Sequence, residues 1–175
     1  MKKKVFTIAK VIAVLAMLVS LFLIYEHFSE GAEQFCTFGE SLNCGVVNKS
    51  PYASIDGILY FLLFDAGIQV PLLNLADYGH FIDLITTNAF WGFVTFLFVF
   101  FSVRAIEKKK KCFGMDVKKQ LRVLKWVLWL SILYALYLVY IELFVLKTIC
   151  LFCIILDVLI VLTLVSVYLI GRMKK

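Results

Sequence analysis

Four stretches of this chain, 5–25, 85–103, 123–145 and 149–170, are long and apolar enough to cross a lipid bilayer as helices. About 20 residues at roughly 1.5 Å each cover the hydrocarbon core of about 30 Å. No water is available there, so every backbone N–H and C=O must be satisfied within the chain, and a continuous apolar run satisfies them as a helix. Composition agrees, since 63% of the 175 residues are hydrophobic and only two are proline. That is more apolar surface than a soluble domain of this size can bury. The expected fold class is an all-α integral membrane protein, a single four-helix bundle with a long extracytoplasmic loop.

Charge placement orients the bundle. The net charge is +6, and the bases gather at Lys2 to Lys4, in the segment 104–125 and at Arg172 to Lys175, beside the apolar runs. Such blocks are cytoplasmic anchors. They form no basic face interleaved with aromatics, so no nucleic-acid partner is expected. Residues 26–83 carry eight acids and one base, Lys49, whereas 104–125 carries nine bases and two acids. A fifth apolar run, 58–76, is interrupted by Asp65, Gly67, Gln69 and Pro71. If it crossed the bilayer, the nine-base segment would share a side with the acidic loop, against the positive-inside bias. Residues 58–76 are therefore expected to be a helical segment lying along the outer interface. Loop 26–84 is then extracytoplasmic, while loop 104–122 and both termini are cytoplasmic, in a plasma or inner membrane.

The first run reads as a retained helix, because Glu30 stands where cleavage after Ala32 would need a small residue. No fused thioredoxin-like domain is expected beside the spans. Trp126 and Trp129 suit an inner aromatic belt, and Lys10 can snorkel.

This topology sorts the five cysteines. Cys150 and Cys153, in "LKTICLFCIILDV", open the fourth span at its outer end, and Cys36 and Cys44 lie in the outer loop, in "QFCTFGESLNCGVV". Cys112 sits alone in the basic cytoplasmic hairpin and receives no role. Residues three apart on a helix share a face at about 5–6 Å, near enough for a disulfide to open and close with little rearrangement. A dithiol at the membrane boundary has one sulfur toward water-borne thiols and one toward lipid. Electrons can therefore pass from thiols outside to an acceptor dissolved in the bilayer. A mobile loop with two further thiols, flanked by Gly39 and Gly45, can shuttle reducing equivalents by successive exchanges. Two other readings compete: four sulfurs holding zinc or copper in a non-enzymatic membrane protein, and a scaffold with two structural disulfides.

These residues together resemble the vitamin K epoxide reductase family. "CGVVNKSPYASIDG" is similar to the family's loop signature through Cys44, Ser50, Tyr52 and Gly57, "NAFWG" to the start of its second span, and "CLFC" to its redox centre. The resemblance covers about 5–170. It implies a four-helix bundle holding a quinone of ubiquinone, menaquinone or vitamin K type beside Cys153, under a loop through which Cys36 and Cys44 relay electrons to Cys150. It puts Asn88 in the place of the family's quinone-bonding asparagine. Prokaryotic members act like the disulfide-generating membrane protein DsbB, reoxidising a separate thioredoxin-like (DsbA-like) partner, whereas animal members reduce vitamin K epoxide. Asp157 stands where animal members carry a quinone-bonding tyrosine.

The remaining polar residues each have two readings. Asn88 either bonds the quinone or caps the second helix. Asp157, a carboxylate one turn inside a span, either donates a proton to the reduced quinone or bonds a neighbouring helix. Ser50 either supports a loop thiol or turns the chain before Pro51. His27 and His80 read as interfacial, and Glu142 as a partner for Lys147.

Overall fold

The computed structural model describes residues 2–29, 36, 42–55, 57, 63, 79–111 and 114–173. Cys112 and nearly all of the expected interfacial segment 58–76 lie outside them. Helix α1 spans Lys2–Phe28, the short α2 Cys44–Asn48, α3 His80–Thr86, α4 Asn88–Glu107, α5 Val117–Tyr140 and α6 Leu151–Met173. A 3-10 turn, Pro51–Ala53, follows α2, and a π-helical turn, Ile141–Leu146, extends α5. Among the described residues four helices are long and apolar enough to cross a membrane: α1, α4, α5 with its π turn, and α6. The protein is a multi-pass, all-α membrane bundle, as its apolar runs lead one to expect.

One boundary differs from expectation. The second span begins at Asn88 rather than at residue 85, because Thr87 leaves the helical region at φ −64°, ψ 139°. Its hydroxyl accepts the Phe90 N–H at 3.3 Å, so Thr87 is the N-cap and Asn88 the first helical residue. Residues 80–86 form the separate α3.

Lipid tails are as apolar as leucine, so the helices associate by close packing rather than by escape from water. On α1 the buried stripe is Ala9, Ala13, Ala16, Ser20 and Leu23, spaced four, three, four and three residues apart. Facing it, α4 buries Ala89, Phe96, Val99, Val103 and Ile106 in the matching rhythm. Small residues on α1 let the two backbones approach, and a Cβ on Gly92 would stand 3.2 Å from Ser20 Oγ. Leu124 and Leu128 of α5, and Leu164, Val167 and Ile170 of α6, complete this core. Thr163 and Ser166 sit in it without stranding their hydroxyls, which donate to Leu159 O and Leu162 O one turn back. Leu18, Leu133, Leu136 and Val161 face outward, as lipid contact requires.

The two ends of the bundle differ. At one, Lys10 of α1 pairs with Glu107 of α4 at 2.8 Å, Lys125 lies over the Tyr168 ring at 4.2 Å, and Trp126 and Trp129 are exposed. At the other, the end of α1 meets α2, α3 and the start of α6. There His27 bonds Asn48 O at 2.8 Å and the Asp83 carboxylate at 3.2 Å, while Asn48 Nδ2 donates to Leu23 O at 2.7 Å. His27 is thus a clamp between the end of α1, the end of α2 and α3, more than the interfacial residue expected. His80 edges the ring of Phe28 and stays exposed.

Candidate active site

The second end of the bundle holds the sulfurs. Cys36 and Cys44 are joined in a disulfide with Cα atoms 5.5 Å apart. Asn43 anchors this region twice. Its side chain caps α2 by accepting the Val46 N–H at 3.1 Å, and its own N–H donates to Ile149 O at 3.1 Å. The residues following the two partners are Cys44 and Cys150, so one backbone bond brings a loop cysteine alongside the membrane pair. Cys36, Cys44 and Cys150 are all fully buried in one cluster with Leu23, Val47 and Ala89, and Cys153 packs against it.

The sequence places Cys150 and Cys153 in the first turn of the last helix; structurally, Cys150 is the residue before α6 and Cys153 the third within it. The Cys153 N–H donates to Cys150 Sγ at 3.2 Å. Sulfur here takes the position that a serine or aspartate oxygen occupies in an ordinary N-cap. The pair is unbonded, with Cys150 buried and Cys153 half-buried. Cys150 is therefore closed to water-borne thiols, contrary to the simplest reading of a boundary dithiol, and what can reach it is the loop above.

Cys153 opens onto a cavity of about 160 Å³ whose walls include Asn88, Tyr134, Ser50, Glu142 and Asp157, with Leu23, Phe96 and Ile160 among the apolar ones. Trp91, half exposed on the outside of α4, also lines it, so the cavity reaches the lipid-facing surface. An apolar cavity of about 150 Å³ is known to accept benzene, so this one has room for a single ring of quinone size. A quinone offers two carbonyl acceptors and needs donors. Asn88 Nδ2 uses one hydrogen on Tyr52 O at 3.1 Å, and its Oδ1 accepts the Tyr134 hydroxyl. Tyr52 O can only accept, which fixes the amide's orientation and leaves the second Nδ2 hydrogen for a ligand. This is not the capping role, which belongs to Thr87. Asp157 makes no hydrogen bond or ion pair with another described residue, so the expected alternative of a bond to a neighbouring helix is not seen.

Ser50 Oγ donates to Val47 O at 2.7 Å, which closes the turn before Pro51 and does not address a sulfur. Glu142 does not pair with Lys147. It is buried, and its Oε2 accepts the Cys150 N–H at 3.0 Å. Two residues thus escaped sequence reasoning. Tyr134 carries a polar tip deep in a span, away from either aromatic belt, and that position was its signal. Glu142 could be recognised only as a carboxylate inside an apolar run. Among the described residues no group of three or more His, Cys, Asp or Glu is arranged to hold a metal ion.

Comparison with protein families matches residues 7–168 to the vitamin K epoxide reductase family. A comparison with curated proteins finds no match.

Proposed function

The chain belongs to the vitamin K epoxide reductase family, and from that premise we propose that it is a thiol:quinone oxidoreductase driving disulfide formation outside the cytoplasm. Oxidoreductase chemistry linking thiols to quinones is the family's trade; the electron path, sidedness and partner are this chain's part of the proposal. The observation that carries it is the Asn43–Ile149 backbone bond, which sets Cys44 beside Cys150 within one buried cluster of sulfurs.

A thioredoxin-like partner outside the cytoplasm reduces the Cys36–Cys44 bond. Both sulfurs are buried, so the loop must open for that step. On reclosing, the Cys44 thiolate attacks Cys150 in its bond to Cys153, making a Cys44–Cys150 bond and releasing Cys153 sulfur. Cys36 then attacks Cys44, restoring the loop disulfide and leaving Cys150 and Cys153 reduced. A bound quinone of ubiquinone, menaquinone or vitamin K type supplies a two-electron, two-proton acceptor. Cys153 would face it, Asn88 would donate a hydrogen bond to it, and Asp157 in its acid form would supply a proton. As Cys150 and Cys153 close their disulfide, two S–H bonds are lost and two electrons and two protons leave the sulfurs.

The test offers purified protein, with a dithiol donor, a short-chain ubiquinone, menadione or vitamin K epoxide. Quinol formation that is abolished by serine at any one of Cys36, Cys44, Cys150 or Cys153 under a protein donor supports the reading. Turnover of the epoxide alone favours vitamin K epoxide reduction proper. Thiol-independent behaviour, or resistance of both disulfides to the donor, contradicts it.

A further inference from the structure

The exchange just described has a proton requirement that the cysteines cannot meet by themselves. When Cys44 attacks Cys150, Cys153 leaves as an anion into an apolar cavity, where an unpaired charge is costly. When electrons later pass outward, Cys153 must give up a proton again. A group that holds one proton beside Cys153 at both moments would serve both steps.

Glu142 occupies that position, and local chain geometry is what puts it there. The α-helix of α5 ends at Tyr140 and widens into the π turn Ile141–Leu146. Lys147 then reverses the chain in the left-handed region at φ +53°. Thr148 N–H closes the reversal onto Glu142 O at 3.0 Å. π-helical turns are rare and frequently found at functional sites. Here the turn directs the Glu142 carboxyl inward, under the start of α6. Oε2 accepts the Cys150 N–H, one of the donors that a helix start leaves without an intrahelical partner. The Cys153 N–H in turn donates to Cys150 Sγ at 3.2 Å, so the Glu142 carboxyl and Cys153 flank the same first turn of α6. It lines the same cavity as Cys153 and Asp157, so a proton held on it has a route to a bound ring.

Resting on the proposed function, we infer that Glu142 is the acid–base residue of the membrane cysteine pair. As a carboxylic acid it protonates the Cys153 sulfur when the S–S bond to Cys150 breaks. As a carboxylate it takes that proton back from the Cys153 thiol during reoxidation and releases it toward the acceptor's oxygen. The proton on the Cys150 thiol reloads Asp157. Two S–H bonds are thus exchanged for one S–S bond, and the proton that the Cys44 thiol sheds as it becomes the attacking thiolate restores the acid form of Glu142 for the next turn. The titratable groups facing Glu142 are Cys150, the residue before α6, and Cys153 and Asp157 within it.

The discriminating variant is E142Q. An amide oxygen still accepts the Cys150 N–H, so a purely structural role survives, but the amide cannot carry a proton. The experiment uses full-length protein in detergent, stripped of quinone and started with both pairs oxidised. A small dithiol is added, and alkylation after acid quench follows each disulfide separately. The expected result is that reduction of Cys36–Cys44 proceeds at the wild-type rate while transfer from the loop to Cys150–Cys153 slows roughly a hundredfold, the ordinary contribution of a positioned acid. E142D, which keeps a carboxyl, recovers most of that loss. Wild-type transfer shows a solvent deuterium isotope effect that E142Q lacks. Transfer at the wild-type rate in E142Q, or an equal slowing of both steps, overturns the assignment. If E142Q cannot be purified, absence of the isotope effect in the wild type overturns it. Failure of the wild type to transfer electrons between its pairs at all counts instead against the proposed function.

Discussion

Replacing Asn88 with alanine removes a side chain that joins the turn after α2 to α5 across the top of the cavity. Two hydrogen bonds go, to Tyr52 O and from the Tyr134 hydroxyl. Such bonds average about 0.6 kcal/mol within membrane proteins and reach about 1.5 kcal/mol elsewhere, so N88A should cost about 1 to 3 kcal/mol. Y134F removes one of them and should cost about 1 kcal/mol. The two changes should not add. N88A leaves the Tyr134 hydroxyl without its partner at an apolar wall, and deleting that hydroxyl as well removes the penalty. The double variant should therefore be no less stable than N88A alone. Thermal unfolding in detergent, at one scan rate, resolves this, since about 1 kcal/mol shifts the midpoint of a chain this size by about 2–4 °C. The same variants read the ligand contact. Loss of the second Nδ2 donor should raise the quinone KM roughly three- to tenfold in N88A, with no further rise in the double variant. Additive losses in stability or in KM would refute the view that Tyr134 acts through Asn88.

Three further outcomes follow from the geometry. A13L forces a large side chain between α1 and α4 where no exposed surface remains, and should cost about 1–3 kcal/mol in thermal unfolding without changing which disulfides form. D157N should slow quinol formation across the pH range while leaving exchange between loop and membrane pair intact, and an unchanged pH profile would exclude Asp157 as a proton donor. H27A removes the clamp on Asn48 and Asp83 and should loosen the cap by about 1 kcal/mol, seen as faster amide exchange in α2 with the transmembrane core unaffected.

Much of this architecture is legible in the sequence because lipid imposes so few solutions. Continuous apolar runs must be helices, and the four expected spans are four such helices. The clustering of the four cysteines is legible for a related reason, since no packing argument calls for a Cys-x-x-Cys at a span's edge beside a second pair. The start of the second span was misplaced by three residues because apolar periodicity runs through Thr87, and only its backbone angles break the helix. Asn88 read equally well as a cap because its true partners, Tyr52 and Tyr134, are distant in the chain. Glu142 read as a surface partner for Lys147 because no local pattern in "IELFVL" announces a π turn, and that turn decides which way the carboxyl points. What sequence reasoning missed is therefore non-local contact and backbone detail, rather than element type.

The most direct measurement traps the exchange itself. A variant with serine at Cys36 and Cys153 keeps one sulfur in the loop and one at the membrane, Cys44 and Cys150. Under mild oxidation it should form a Cys44–Cys150 disulfide quickly and nearly completely, detected as one linked peptide pair by mass spectrometry. The companion variant with serine at Cys44 and Cys153 should link Cys36 to Cys150 far more slowly. If neither pair links in membranes, or if Cys36 links as readily as Cys44, the loop and the membrane pair do not meet through the contact at Asn43 and Ile149, and the relay described here is wrong.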